Sequence, residues 1–240
     1  MDYKTRIDTM DFRNRYGYNV TEPINLISLL HRLDILAIFK PLSEDFSGIS
    51  IKIDNNRFMM VNCDHSLGRQ NFTIAHELYH LYFDKSFEPH KCHTGLFPKN
   101  KPGERIADNF AAQLLLPQEG LLQLIPEGEM EKDKIQLATI LKLEQTYGSS
   151  RSALLNQLEK MGLTTKGFDE KYQKSVKTIA RQHGYSIDLY EPTTEKAILG
   201  TFGSLATKLF EKDQISESHY LELMMSIGID VNEISTDDEH

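Results

Sequence analysis

The sequence predicts an α+β protein, with a mainly helical domain built around a small antiparallel sheet and followed by a helical C-terminal region. Three observations carry this prediction. Apolar residues recur at helical spacing through most of the chain. One stretch alternates as a hairpin does: Ile49-Ser50-Ile51-Lys52-Ile53 and Phe58 to Asn62 flank the turn signal Asp54-Asn55-Asn56-Arg57. One helix, Arg69 to Phe83, holds His-Glu-x-x-His within an apolar run. With 240 residues, 40% of them hydrophobic, the chain can bury a core. The formal net charge of −8 lacks the Lys and Arg excess that neutralises phosphates, so direct nucleic-acid binding is not expected. Two cysteines, no apolar leader and no run near the roughly 20 apolar residues of a membrane span lead to the expectation of a cytoplasmic protein without membrane contact.

Taken in order, Phe12 and Tyr16 at helical spacing predict an N-terminal helix that breaks at Gly17 and Pro23, and Ile24 to Leu33 forms a second one. Ile35 to Phe39 is a short apolar run, and Pro41 to Gly48 is a turn-rich link. The hairpin follows, its isoleucines expected on one buried face and an edge of its sheet offering a place where an extended peptide could add as a strand. In the helix from Arg69, residues Phe72, Ile74, Ala75, Leu78, Tyr79, Leu81, Tyr82 and Phe83 fill more than half the circumference at about 100° per residue. Thr73, His76, Glu77, His80 and Asp84 share the remaining sector. Tyr79 and Tyr82 therefore project away from it.

Histidines at i and i+4 stand one above the other on a helix, the separation at which two imidazoles can hold one tetrahedral zinc ion. Glu77 lies beside His76 but is rotated off the ligand line, so it can take a proton from water without binding the metal. Downstream, Pro102 suits a first helical position behind an Asn100 or Lys101 cap. Ala107, Phe110, Ala111 and Leu114 form the apolar stripe, and Pro117 closes the run. Glu104 and Asp108 then share one face. That spacing lets Glu104 serve as third metal ligand while Asp108 accepts the free ring N–H of a ligand histidine. The loop Phe87 to Gly95 between the helices holds His90, Cys92 and His93, which could contact substrate or a second metal.

Arg69 to Phe83 together with Glu104 to Pro117 resembles the ImmA/IrrE family of zinc metallopeptidases, whose ligand layout is similar to that of thermolysin-type gluzincins. The approach Gly48-Ile49-Ser50 and the strand ending Met60-Val61-Asn62 resemble the family in order and spacing. The resemblance implies one zinc ion per chain held by His76, His80 and Glu104, Glu77 as catalytic base, and Asp108 supporting a ligand histidine. Where many relatives have a second acidic residue this chain has Ile106, which removes a rival for the third ligand. The resemblance also implies a protein substrate, a helix-turn-helix repressor of the kind encoded beside such peptidases in phages and mobile elements, or an antitoxin.

Lys134 to Leu163 reads as helix, turn at Tyr147-Gly148, cap at Ser149 or Ser150, and second helix, a helix-turn-helix-like segment. Its second helix offers Arg151, Asn156, Gln157, Glu159 and Lys160, nearly neutral in sum, which favours packing on the peptidase core over DNA reading. The metallopeptidase domain is thus expected over 1–164, including this segment at 134–163. The helical C-terminal region is expected over 165–240, with an amphipathic stretch from Phe168 to His183, a helix from Glu191 to about Lys212, another capped by Ser216, and a disordered acidic end at 235–240. Two alternatives stand beside the protease: a non-catalytic regulator acting by protein or DNA contact, and the toxin half of a toxin–antitoxin pair.

Overall fold

The computed structural model describes residues 3–84, 102–165, 168, 175–193 and 197–229. Two helices, α1 (Tyr3–Arg15) and α2 (Leu26–Arg32), lead into strands β1 (Ile35–Lys40), β2 (Gly48–Ile53) and β3 (Asn56–Asn62). Then come α3 (Leu67–Tyr82), α4 (Pro102–Leu115), α5 (Gln118–Leu124), α6 (Leu137–Tyr147) and α7 (Arg151–Lys160). The C-terminal region supplies α8 (Val176–Gln182), β4 (Ala197–Leu199), α9 (Phe202–Glu211) and α10 (Glu217–Ser226). The fold is α+β, as the periodicities predict. The expected loop of His90, Cys92 and His93, the Asn100 or Lys101 cap, most of the stretch from Phe168 to Ser175 and the acidic end at 235–240 lie outside the described residues.

The sheet differs from the expected antiparallel one. Its order is β2-β3-β1-β4, with β1 parallel to β3 and the other two pairings antiparallel. The short apolar run Ile35 to Phe39 is therefore an inner strand, flanked on both sides. Local alternation reveals the β2–β3 hairpin, but the β1 pairings join residues distant in sequence and leave no local signal. The expected helix from Glu191 is also corrected. Ala197–Leu199 extends along Ala37 to Phe39 as β4, Gly200 turns the chain with φ +119°, and α9 begins only at Phe202. An unfilled strand edge beside Ile198 and Leu199 outweighs their modest helical preference.

The buried face of β2 is the other surprise. Gly48 and Ser50 are buried while Ile49 and Ile51 are only half-buried and Ile53 is exposed. The face turned to α3 must be the one with small side chains, because a Cβ on Gly48 would stand 2.6 Å from Thr73 Cγ2 and 2.9 Å from the Met60 carbonyl. Asn62 fixes the approach to β2: it is fully buried, its Nδ2 donates to the Ser43 and Phe46 carbonyls, and its Oδ1 accepts from Leu42 N–H.

Helix α3 sits between this sheet and α4. Behind it, Phe12, Tyr79, Phe83 and Phe110 form an aromatic cluster with ring centroids 5.0 to 6.0 Å apart, in the range of favourable edge and offset contacts. At its start, the chain from the C-terminal region crosses over: Leu67 N–H donates to the Glu191 carbonyl and Thr193 Oγ1 to Gln70 Oε1. The turn between α6 and α7 packs on the same end, where a Cβ on Gly68 would stand 2.7 Å from Ser150 N and Asn71 Nδ2 donates to the Gly148 carbonyl. Among the described residues, no helix is long and apolar enough to cross a membrane.

Candidate metal centre

His76 and His80, from the polar sector of α3, face α4, and the two helices bring three ligand-type side chains together at their contact. His76 Nε2 and His80 Nε2 are 3.2 Å apart, Glu104 Oε2 is 3.3 Å from His76 Nε2, and Glu104 Oε1 is 3.7 Å from His80 Nε2. All three residues are buried. Pro102 opens α4, and its apolar stripe Ala107, Phe110, Ala111 and Leu114 is buried against the core. That packing turns Glu104 and Asp108, one helical turn apart, toward the histidines.

Each imidazole is oriented from behind by a carboxylate. His76 Nδ1 lies 2.9 Å from Asp108 Oδ1, and His80 Nδ1 lies 3.1 Å from Asp84 Oδ2. With Nδ1 donating in both rings, both Nε2 atoms are acceptors, and two acceptors 3.2 Å apart beside a carboxylate cannot satisfy one another. A cation between them would. Tetrahedral zinc at about 2.0–2.1 Å from its ligands would separate donor atoms by about 3.3–3.4 Å, close to the spacings seen. The donor set, the burial and the fixed tautomers therefore fit a metal ion held by His76, His80 and Glu104. Burial holds His80 below the ordinary histidine value, reinforced by His76 and opposed by Glu77, Asp84 and Glu104, so its ring favours the neutral form that a metal requires.

Glu77 lies one residue on from His76 and is buried on the β2 side, where Ser50 Oγ donates to its Oε2 at 2.6 Å. Its Oε1 is buried and has no hydrogen-bond partner among the described residues. Asp108 is one-third exposed and lines a cavity of about 800 Å3 between α3, α4 and α7, together with Arg69, Phe72, Ala153, Asn156 and Lys160. Lys160 donates to Asn109 Oδ1 at 2.7 Å, and burial lowers its pKa.

Of the residues singled out in the sequence, His76, His80, Glu104 and Asp108 converge, with Glu77 beside them. Tyr79 and Tyr82 lie on the opposite side of α3, where burial pushes the Tyr82 hydroxyl up to about 12 and Arg57 stands 4.6 Å over its ring. His90, Cys92 and His93 lie outside the described residues. Two roles escaped sequence reading, which put Asp84 in the polar sector and Ser50 in the approach to the helix but gave neither a partner. The spacing of Asp84 from His80 carried a signal; the bond from Ser50 to Glu77 joins distant segments and carried none.

Among curated proteins no match to the chain is found. The family model described as the peptidase IrrE N-terminal-like domain matches residues 30–159, which span β1 to β3 and the metal-site helices α3 and α4. On that match the chain belongs to the IrrE N-terminal-like peptidase family, a family of metallopeptidases.

Proposed function

We propose that this chain is a zinc-dependent endopeptidase that cuts a specific cytosolic protein, and that its substrate is a helix-turn-helix transcriptional repressor. The observation that supports this reading best is the buried set of His76, His80 and Glu104 with Glu77 alongside, one oxygen of which has no hydrogen-bond partner among the described residues. A purely structural metal site has no use for that fourth side chain. When bound, the metal supplies Lewis acidity, polarising the scissile carbonyl and acidifying water.

The chain's own residues would do the rest. Asp108 and Asp84 hold the two imidazoles in the tautomer that leaves Nε2 bare. Glu77 takes a proton from the attacking water as the new C–O bond forms, and passes it to the leaving nitrogen as the C–N bond breaks. The outer edge of β2, beside α3, is where an extended segment of substrate can pair. Such an edge accepts an unfolded linker rather than a compact domain, so few cuts and poor activity on generic proteins such as casein are expected. A net charge of −8 suits a basic DNA-binding partner, because opposite charges speed encounter.

Co-expression of the wild type and of Glu77→Gln with a repressor encoded beside it tests the reading. Glu77→Gln keeps shape and metal but cannot accept a proton, so cleavage is expected to fall roughly 10²–10⁴-fold with zinc content unchanged. A repressor that stays intact with both proteins, held in a stable complex with each, would replace the protease by a masked toxin.

A further inference from the structure

We infer that Ser50 is a positioning residue for Glu77: its hydroxyl pins one carboxylate oxygen and thereby leaves the other to receive the proton. The inference rests on the peptidase reading above. Ser50 Oγ donates to Glu77 Oε2 at 2.6 Å, and both side chains are 2% exposed. That length is typical of a hydroxyl bonded to an ionised carboxylate. A buried carboxylate ordinarily collects donors on both oxygens, because an unsatisfied one is costly. Here Oε1 has none among the described residues. The asymmetry is what a proton acceptor needs, with one oxygen held and the other not engaged by any described donor.

The backbone is built for this bond. Gly48 and Ser50, two apart on β2, face Thr73 and Glu77, four apart on α3. Two strand residues advance about 6.6 Å and four helical residues about 6 Å, so the pairs stay in step. At the first pair, the missing Cβ of Gly48 lets the strand press onto Thr73. At the second, the same closeness brings a short hydroxyl side chain into reach of a carboxylate. Asn62 holds the loop that sets the height of β2, and Ser47, the residue before that strand, accepts from Asn62 N–H through its carbonyl. A serine has one proton to donate, and here it is given to Glu77. Without it the glutamate regains rotamers and loses the aim that proton transfer demands.

The test uses the whole 240-residue chain loaded with zinc and acetohydroxamate as probe, with affinity read by calorimetry. A hydroxamic acid gives up its O–H proton when it chelates a metal, and Glu77 is the group placed to take it. Ser50→Ala is expected to weaken acetohydroxamate about tenfold at unchanged zinc content, the scale of one lost hydrogen bond to a charged group. The same substitution is expected to have no effect in a Glu77→Gln background, because the serine acts only through the carboxylate. If Ser50→Ala does not fold, Ser50→Cys, of similar size but with a weak S–H donor, is expected to give the same pair of results. Unchanged affinity in the single variant, or an equal loss in both backgrounds, overturns the inference. Elemental analysis of the wild type comes first: a wild type without zinc overturns the peptidase reading, and this one with it.

Discussion

Two buried polar clusters, one between α3 and α4 and one at the turn from α6 to α7, show opposite ways of burying charge. In the second, Glu144 and Arg151 are both buried: Arg151 Nη2 donates to Glu144 Oε2 at 3.0 Å, Arg151 Nε donates to Oε1, and the Tyr190 hydroxyl donates to Oε2 at 2.7 Å. Each oxygen of Glu144 there meets at least one donor, and a positive charge faces a negative one. In the first, the atoms that face one another are two imidazole nitrogens and a carboxylate, all acceptors when the carboxylates behind the rings accept the two Nδ1–H groups. That acceptor set could hold a cation. What sets the candidate metal site apart is thus a surplus of acceptors rather than burial of charge. The comparison also explains the neutral face of α7. Arg151 is spent on Glu144, and Gln157 Nε2 donates to the Leu116 carbonyl at 3.2 Å, so the guanidinium and amide that a DNA reader would present point into the core.

The contrast can be broken from either side. The largest effect is expected from Glu104→Ala, which should abolish stoichiometric metal; elemental analysis of the purified variant checks it, and full metal would remove Glu104 from the ligand set. Arg151→Ala leaves Glu144 buried without its counter-charge and should cost about 3–5 kcal/mol. Replacing both partners by apolar residues should restore most of that in denaturant melts, whereas no apolar pair should replace the metal set. Asp108→Ala and Asp84→Ala should each weaken metal about 10–100-fold, measured by chelator competition. Equal effects would show that the carboxylate four residues past His80 matters as much as the one from α4.

The smallest expected effect concerns pH. Burial holds His80 and His65 below the ordinary value of 6.5, with His76 adding to the effect at His80. Because the unfolded chain binds these protons first, stability is full above pH 6.5 and falls as the pH drops below it. Melting of the metal-free protein should therefore come at a lower temperature at about pH 5.5 than at about pH 7.5, and a flat profile would contradict the assignment.

What the sequence revealed depended on distance along the chain. His76 and His80, or Glu104 and Asp108, are fixed relative to each other by one helical turn, and the aromatic side of α3 followed from the same period. Asp84 obeyed that rule too. The pairing of β1 with β3 and β4 is set by contacts between remote segments, and so is the bond from Ser50. The β2 strand shows the limit most clearly: its alternation was legible, but the isoleucines turned half outward because the helix on its inner side demands Gly48 and Ser50. The helix expected from Glu191 failed for a related reason, since an open sheet edge recruited Ile198 and Leu199.

The strand Ala197–Leu199 has a practical consequence for anyone dissecting this protein. The family match stops at residue 159, and a chain trimmed there would retain all four residues His76, Glu77, His80 and Glu104 while stripping the partner from Ala37 to Phe39. An uncovered apolar edge of that kind is a template for pairing with other molecules. The minimal fragment would then precipitate through a strand nowhere near its chemistry, and its silence in an assay would speak to solubility alone.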